Sequence, residues 1–351
     1  MNWYKYAVRK TVQSILMLLF LSLIGHWIIT NIPGSYNDFI QLENEATNSE
    51  QLQQKVISAK PLFYFGIMSE FSEEEKKNPS SIHWSKLMPN WKWNGLKNRY
   101  HEWLSGSGIS MRDSKKVSDK VWDAISWTVI IQLPVLIIIF FMGLFLAEWS
   151  VRTKAQKLVE VITRILSIFH SIPIFWFANL LLIFFAGVSF LNILPSSFVH
   201  AEVNSPLEFW FGKSYYLILP IISLVLPSLA IVFNLTRISY LEHMDKLSWK
   251  RMLASGISKR EGIIQEARPQ AIIPLVAWFA SAIPLLISGS IIIENIFSIP
   301  GTGRLLFQSI GYRDWPVVHA LFMMSAIMTL LGIILAEILQ MKLDPRINLT
   351  E

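Results

Sequence analysis

The sequence predicts an all-α integral membrane protein with six transmembrane helices. Hydrophobic residues make up 52% of its 351 and only 16% are charged, with a mean hydropathy of +0.42. A single soluble core of this size cannot bury that much apolar surface, so lipid must cover the rest. Six stretches are long enough to cross a hydrocarbon core of ~30 Å, which takes about 20 helical residues. The basic residues are distributed unevenly between the two sides that such spans define.

The first span, Val12–Ile32, follows Lys5, Arg9 and Lys10. Its apolar run exceeds the core of a secretory signal and no small-x-small cleavage site follows, so it reads as an uncleaved anchor. The others are Trp127–Ala147, Ile165–Val188, Tyr216–Thr236, Ala271–Ile293 and Val317–Met341. Six prolines (Pro134, Pro173, Pro220, Pro227, Pro274 and Pro284) lie in or at the ends of four of these spans. Each removes a helix hydrogen bond and favours a kink, as suits a bundle that bends between states.

Orientation follows from the loops. With the N-terminus in the cytoplasm, the inner pieces carry Lys5, Arg9 and Lys10; Arg152, Lys154, Lys157 and Arg164; Arg237, Lys246, Lys250, Arg251, Lys259, Arg260 and Arg268; and Lys342 and Arg346. The two short outer loops carry only Lys213, Arg304 and Arg313. Both termini are therefore expected in the cytoplasm. The formal charge of +6 is explained by this sorting and by anionic headgroups, so it does not point to nucleic acid.

Three regions follow: an N-terminal transmembrane helix (1–34), an aromatic-rich extracytoplasmic insertion (35–124), and a core (125–351) with five spans and a long cytoplasmic loop (237–270). Within the insertion, Asn37–Lys60 is polar with helix-compatible spacing. The part beyond Pro61 carries Phe63, Tyr64, Phe65, Trp84, Trp91, Trp93, Tyr100 and Trp103. So many large aromatics need burial or a partner. Two readings stand together: a small packed cap, or a docking surface.

Chemistry is sparse. Cysteine is absent, which excludes disulfides, thiolate metal sites and cysteine nucleophiles. Gly212-Lys213-Ser214 lacks the earlier glycine of a phosphate-binding loop, where Leu207 stands, and Gly301-Thr302-Gly303-Arg304 lacks the third glycine of a dinucleotide fingerprint. The seven histidines are scattered without metal-ligand spacing, and no serine occupies a GxSxG elbow. The expectation is a chain that is not itself an enzyme and holds no cofactor or metal. Polar residues within spans are functional candidates by default. Gln132 and Asn179 lie deep, while His170, Asn234 and Glu337 lie nearer the inner boundary. A tentative translocation path takes in Gln132, Asn179, Pro227 and Ser288.

The loop between spans four and five carries the strongest signal. Its residues Lys250, Arg251, Met252, Leu253, Ala254, Ser255, Gly256, Ile257 and Ser258 suit a short helix along the inner surface. Gly256 can take turn angles other residues resist, and Ile257, Ile263 and Ile264 are expected to supply apolar surface rimmed by basic side chains. Ala254-Ser255-Gly256-Ile257-Ser258, followed by Ala271-Ile272-Ile273-Pro274, resembles the coupling loop of ABC-importer permeases. The likeness is closest to the first, B-type permease of the oligopeptide, dipeptide and nickel importers.

Other fragments agree in order and spacing. Asn31-Ile32-Pro33-Gly34 is similar to that family's first-span exit, with Ser35 in place of the usual Asp. Asp119-Lys120 through Trp127-Thr128, Ser171-Ile172-Pro173 with Phe175, Leu194-Pro195, Leu217-Ile218-Leu219-Pro220, Leu226-Pro227 and Leu235-Thr236-Arg237 resemble its second, third and fourth spans. Glu294, Phe297, Pro300-Gly301, Gly303-Arg304, Arg313-Asp314-Trp315-Pro316 and Leu343-Asp344-Pro345-Arg346-Ile347 resemble its outer motifs and its tail. The departures cluster in the loop. Met252 stands where a small residue is usual, Ser255 where a basic one is, and Glu266-Ala267-Arg268-Pro269 replaces a His-Ala-Leu-Arg type run. Gly262 sits inside expected helix, costing about 1 kcal/mol relative to Ala.

The resemblance implies a type I importer permease in the bacterial cytoplasmic (inner) membrane. It also implies a second permease subunit, two cytoplasmic ATPase subunits holding ATP and Mg, an extracytoplasmic substrate-binding protein, and short peptides as substrate. The alternative is a membrane scaffold or receptor whose outer segment binds a partner without transport. A secondary transporter is disfavoured, because neither mid-depth carboxylates nor two similar halves are present.

Overall fold

The computed structural model describes residues 3–31, 65–68, 90–96, 98–105, 108–187, 190–196, 212–282, 284 and 290–343. In chain order these form α1 (Trp3–Asn31), β1 (Phe65–Met68), β2 (Asn90–Trp93), α2 (Arg99–Leu104), α3 (Val117–Arg152), α4 (Gln156–Ser171) and α5 (Ile174–Leu181, extended by a π turn to Ala186). They continue with α6 (Ile218–Asp245), α7 (Leu247–Ala254), α8 (Lys259–Gly262), α9 (Arg268–Ala282), α10 (Ile291–Ile296), α11 (Thr302–Gly311) and α12 (Trp315–Leu343). The expected Asn37–Lys60 helix and the tail beyond Leu343 lie outside the described residues.

Among the described residues, four helices are long and apolar enough to cross a membrane: α1, α3, α6 with its leading 3-10 turn, and α12. The third expected span is not one straight helix. The chain bends by 101° between α4 and α5, because Ile172 precedes Pro173 and is pushed into extended backbone (φ −78°, ψ 129°), which ends α4. The fifth expected span is helical through Ala282, and positions 283 and 285–289 lie outside the described residues. Pro134, Pro227 and Pro274 all sit inside helices that continue past them.

The chain divides into two compact units. The larger comprises 1–18, 122–308 and 321–351. Its centre is α6, of whose most apolar stretch 56% is buried against 11% for α1; α4, α5 and α9 pack around it. One core cluster joins Ile131, Val135 and Ile139 of α3 to Val225 and Val232 of α6 and Leu275 of α9. A second lies nearer the 237–270 loop and joins Ala147, Val151, Leu166, Phe233, Tyr240, Trp249, Ile263 and Ala271. At Gly143 α3 and α6 touch so closely that a Cβ would fall 2.5 Å from a Val232 methyl. Lys10 of α1 reaches Glu337 of α12 at 3.2 Å, so Glu337 serves helix pairing.

The larger unit also explains one of the motif fragments. Glu294 is buried and accepts from the Thr128 hydroxyl (2.9 Å) and the Arg304 backbone N–H (3.0 Å), so its carboxylate caps the start of α11. A Cβ on Gly301 would fall 2.5 Å from that carboxylate, which is why glycine stands there.

The smaller unit comprises 19–121 and 309–320. β1 and β2 pair antiparallel with Phe65 opposite Trp93 and Met68 opposite Asn90, forming a small two-stranded sheet. Asn98 caps α2 through the His101 N–H at 2.8 Å. Tyr100 is buried, with its hydroxyl 2.8 Å from that of Ser22, and Trp103 stacks on His319 at 3.9 Å. Asp314 is 1% exposed and accepts from the Ser110 hydroxyl and the Met111 N–H, with Lys120 at 3.6 Å. The motif aspartate thereby holds the turn at Ser110. Among the aromatics, Tyr100 and Trp103 are packed, Trp93 is 57% exposed, and Trp84 and the Trp91 side chain lie outside the described residues.

Candidate functional site

α6 ends at Asp245, and Lys246 (φ −65°, ψ 153°) turns the chain directly into α7. One face of this short helix is anchored: Trp249 is 3% exposed within the second core cluster. At its other end Ser255 closes α7, donating its hydroxyl to the Met252 carbonyl at 2.7 Å. Gly256 then adopts φ +91°, a left-handed conformation that L side chains rarely take. Among the described residues, no atom beyond its chain neighbours lies within 4 Å of where its Cβ would stand. Within this chain, then, the backbone angle requires glycine at 256, and crowding does not.

Ser258 starts the next helix with a reciprocal capping box. Its hydroxyl accepts from the Glu261 N–H, and the Glu261 carboxylate accepts from the Ser258 N–H. Hydrogen bonds from the Ser258 hydroxyl and backbone hold the Glu261 carboxyl below the usual carboxylate range. From Lys259 the chain stays helical to Ala282, through a π turn at Ile263–Ala267 whose flanking residues keep α-helical angles. Such bulges relieve helix packing and recur at functional positions.

The packing corrects one expectation. Ile263 is fully buried in the second core cluster and offers no outward surface. Leu253, Ile257 and Ile264 are exposed, as is Leu247, so the outward apolar face is assembled from both sides of the Gly256 turn. Lys250, Arg251, Ala254, Ser255, Ser258 and Arg260 are exposed around it. Gly262 has a physical reason as well. A Cβ there would fall 2.1 Å from the tip of Met252 and 3.0 Å from the Trp249 ring. Met252 and Gly262 fit each other: the larger residue on α7 fills the space left by the glycine on α8.

The residues named for the translocation path differ in surroundings. Gln132 is buried on α3. Asn179 is exposed on α5 and donates to Phe175 of its own helix at 2.7 Å. The Pro227 carbonyl lies 3.0 Å from His170 Nδ1, and Ser288 is outside the described residues.

Sequence reading missed Glu148. It is the only charged residue of α3 between Asp123 and Arg152, the one signal that marked it. In the structure it is 6% exposed. It accepts two hydrogen bonds from Arg268 (Nε 2.8 Å, Nη2 2.9 Å), one from the Tyr240 hydroxyl (3.2 Å) and one from Arg152 (2.7 Å). Beside it, Lys259 donates to the Val151 carbonyl at 2.9 Å. Tyr240, Lys259 and Arg268 lie outside the 250–258 stretch and tie the loop on either side of it to α3.

Several helices long and apolar enough to cross a membrane define a multi-pass membrane protein. Comparison with known proteins is in accord. Residues 139–349 match the model of the binding-protein-dependent transport system inner membrane component, and the chain belongs to that family. The oligopeptide transport system permease protein AppB of Bacillus subtilis (strain 168) is 26% identical over 343 residues, covering 98% of this chain and 99% of that one. The peptidoglycan transport system permease protein YejB of Agrobacterium fabrum is 31% identical over 188 residues, 52% of each chain. The dipeptide transport system permease protein DppB of Bacillus subtilis is 30% identical over 179 residues, 51% of this chain and 54% of that one. The last two alignments therefore span about half of either protein. The chain is a membrane permease subunit of an importer.

Proposed function

We propose that this subunit imports short peptides, pairing with a second permease to form the path and drawing energy from two cytoplasmic ATPase subunits that bind ATP and Mg. An extracytoplasmic binding protein delivers the substrate. Residues 250–258 receive the ATPase movement. Both termini, with the 237–270 loop, face the cytoplasm, in keeping with the distribution of basic residues. Hydrolysis takes place on the partner chains.

The observation that carries this reading is the turn at Gly256: an exposed apolar and basic projection on a buried base of Trp249 and Ile263. A projection with a rigid root suits a socket in another protein, because force applied at its tip reaches the helices instead of bending the loop. The peptide assignment rests on the names of the similar permeases. The test is the purified complex in proteoliposomes, supplied with binding protein, ATP and a mixture of radiolabelled di- to pentapeptides. ATP-dependent uptake is expected. Gly256→Val should keep the complex assembled while uptake falls at least tenfold, about 1.4 kcal/mol if expressed in the transport barrier. A chain that binds its partners but moves no peptide would favour a scaffold. Wild-type uptake by Gly256→Val would remove the loop from the mechanism.

A further inference from the structure

Glu148 stands where three separate parts of the chain meet. It projects from the last turn of α3. Tyr240 comes from α6, which leads into the 237–270 loop, and Arg268 from the start of α9, which leads out of it. Both donate to the same carboxylate oxygen, and Arg268 also reaches the second oxygen in a forked arrangement. Arg152 closes the other side at 2.7 Å. A second bond, from Lys259 to the Val151 carbonyl, attaches the first residue of α8 to the same helix end. The loop is thus gripped near its entry, near its exit and just past its turn, each time by the final turn of α3.

Forked guanidinium–carboxylate pairs are directional as well as strong. Of this pair Glu148 is buried and Arg268 is 39% exposed, so resistance to separation comes from the carboxylate, which would keep its desolvation cost with fewer partners to offset it. A hinge needs the opposite: contacts that slide or break readily. Arg268 also belongs to one of the departures from the importer-like sequence, the Glu266-Ala267-Arg268-Pro269 run, so the basic residue of that run stands where it meets Glu148.

We propose that Glu148, Arg268 and Tyr240 form a charge latch that stays closed through the transport cycle and makes the 250–258 projection and α3 move as one body. Glu148 and Arg268 are positioning residues that act through the loop, and neither touches substrate or nucleotide. The inference rests on the proposed importer function.

The test uses the complete reconstituted transporter and reads three quantities: peptide uptake, ATP hydrolysis with and without loaded binding protein, and thermal stability of the complex. Glu148→Gln keeps the shape and removes the charge. It is expected to lower peptide moved per ATP hydrolysed at least tenfold, with hydrolysis losing its response to loaded binding protein, while Glu148→Asp recovers part of that ratio. Because the chain has no cysteine, Glu148→Cys with Arg268→Cys offers a second measurement on an already folded complex. Before treatment it should be uncoupled. A short bis-methanethiosulfonate that bridges the two thiols should restore uptake per ATP, and reductant should abolish it again, with the single-cysteine chains as controls.

A bridged complex that regains thermal stability but stays blocked would mean that the latch must open during transport, and would overturn the proposal. So would wild-type coupling in Glu148→Gln. Absence of ATP-driven uptake by the wild-type transporter would instead refute the importer reading, and the latch with it. That outcome is distinguishable because it precedes any comparison of variants.

Discussion

Met252 and Gly262 each looked unfavourable when taken singly, one too large for its place and the other a weak helix former. In three dimensions they are one packing decision, since the Met252 tip occupies the space a Gly262 side chain would need. Gly262→Ala recovers about 1 kcal/mol of helix propensity but must displace Met252 and press on the buried Trp249 ring. Met252→Ala alone leaves a gap over Gly262. Making both changes should therefore do less harm than the sum of the two, with a coupling of about 0.5–3 kcal/mol in a double-mutant cycle, measured by thermal unfolding of the solubilised subunit. Strict additivity would show that the two side chains do not share that space. Gly256 differs in kind. Its cost on substitution comes from φ +91°, so every L residue there is strained, β-branched ones most.

At the level of elements, the described parts of the 35–124 segment differ in burial. α2 is held by its Asn98 cap, by Tyr100 against Ser22 and by Trp103 stacked on His319, while Trp93 of β2 lies largely exposed. Trp103→Ala should accordingly cost about 2–4 kcal/mol, somewhat under the ~3–5 kcal/mol of a fully buried aromatic. Trp93→Ala should change stability by no more than about 0.5 kcal/mol. If Trp93 belongs to a docking face, its loss will appear in stimulation of ATP hydrolysis by loaded binding protein. Equal stability losses at both positions would mean that the exposed tryptophan is packed in solution after all. The bend between α4 and α5 belongs to this scale too. Composition suggested one continuous span, but the restriction that Pro173 places on Ile172 broke it in two.

For the whole molecule, the uneven basic residues give an orientation that is simple to test. Single cysteines at Ser258 and Asn94 should react with an impermeant maleimide from opposite sides of intact cells, position 94 from outside and position 258 only after permeabilisation. Reaction of both from the same side would overturn the orientation and the contact with a cytoplasmic ATPase together. Membership in the importer-component family rests on 139–349, while the likeness to the oligopeptide permease AppB runs over 343 residues and takes in most of the chain before that match.

The sequence by itself determined the membrane class, most span positions, the basic asymmetry, and the glycine turn within a loop of importer type. These are local or compositional properties: an apolar run must meet lipid wherever it folds, and a glycine permits left-handed backbone in any context. Tertiary structure alone decided which loop residues face outward. Ile263 and Ile264 are neighbours of the same type, yet one is buried and the other exposed, because the π turn that holds both sets Ile263 among Ala147 and Val151 of α3 and Phe233 and Tyr240 of α6. It also decided the role of Glu148. Its partners lie 92 and 120 residues away in sequence, and no local pattern encodes so distant a pairing. Only the arrival of α6 and α9 at the end of α3 turns a lone acidic residue in an apolar helix into the point where the loop is held.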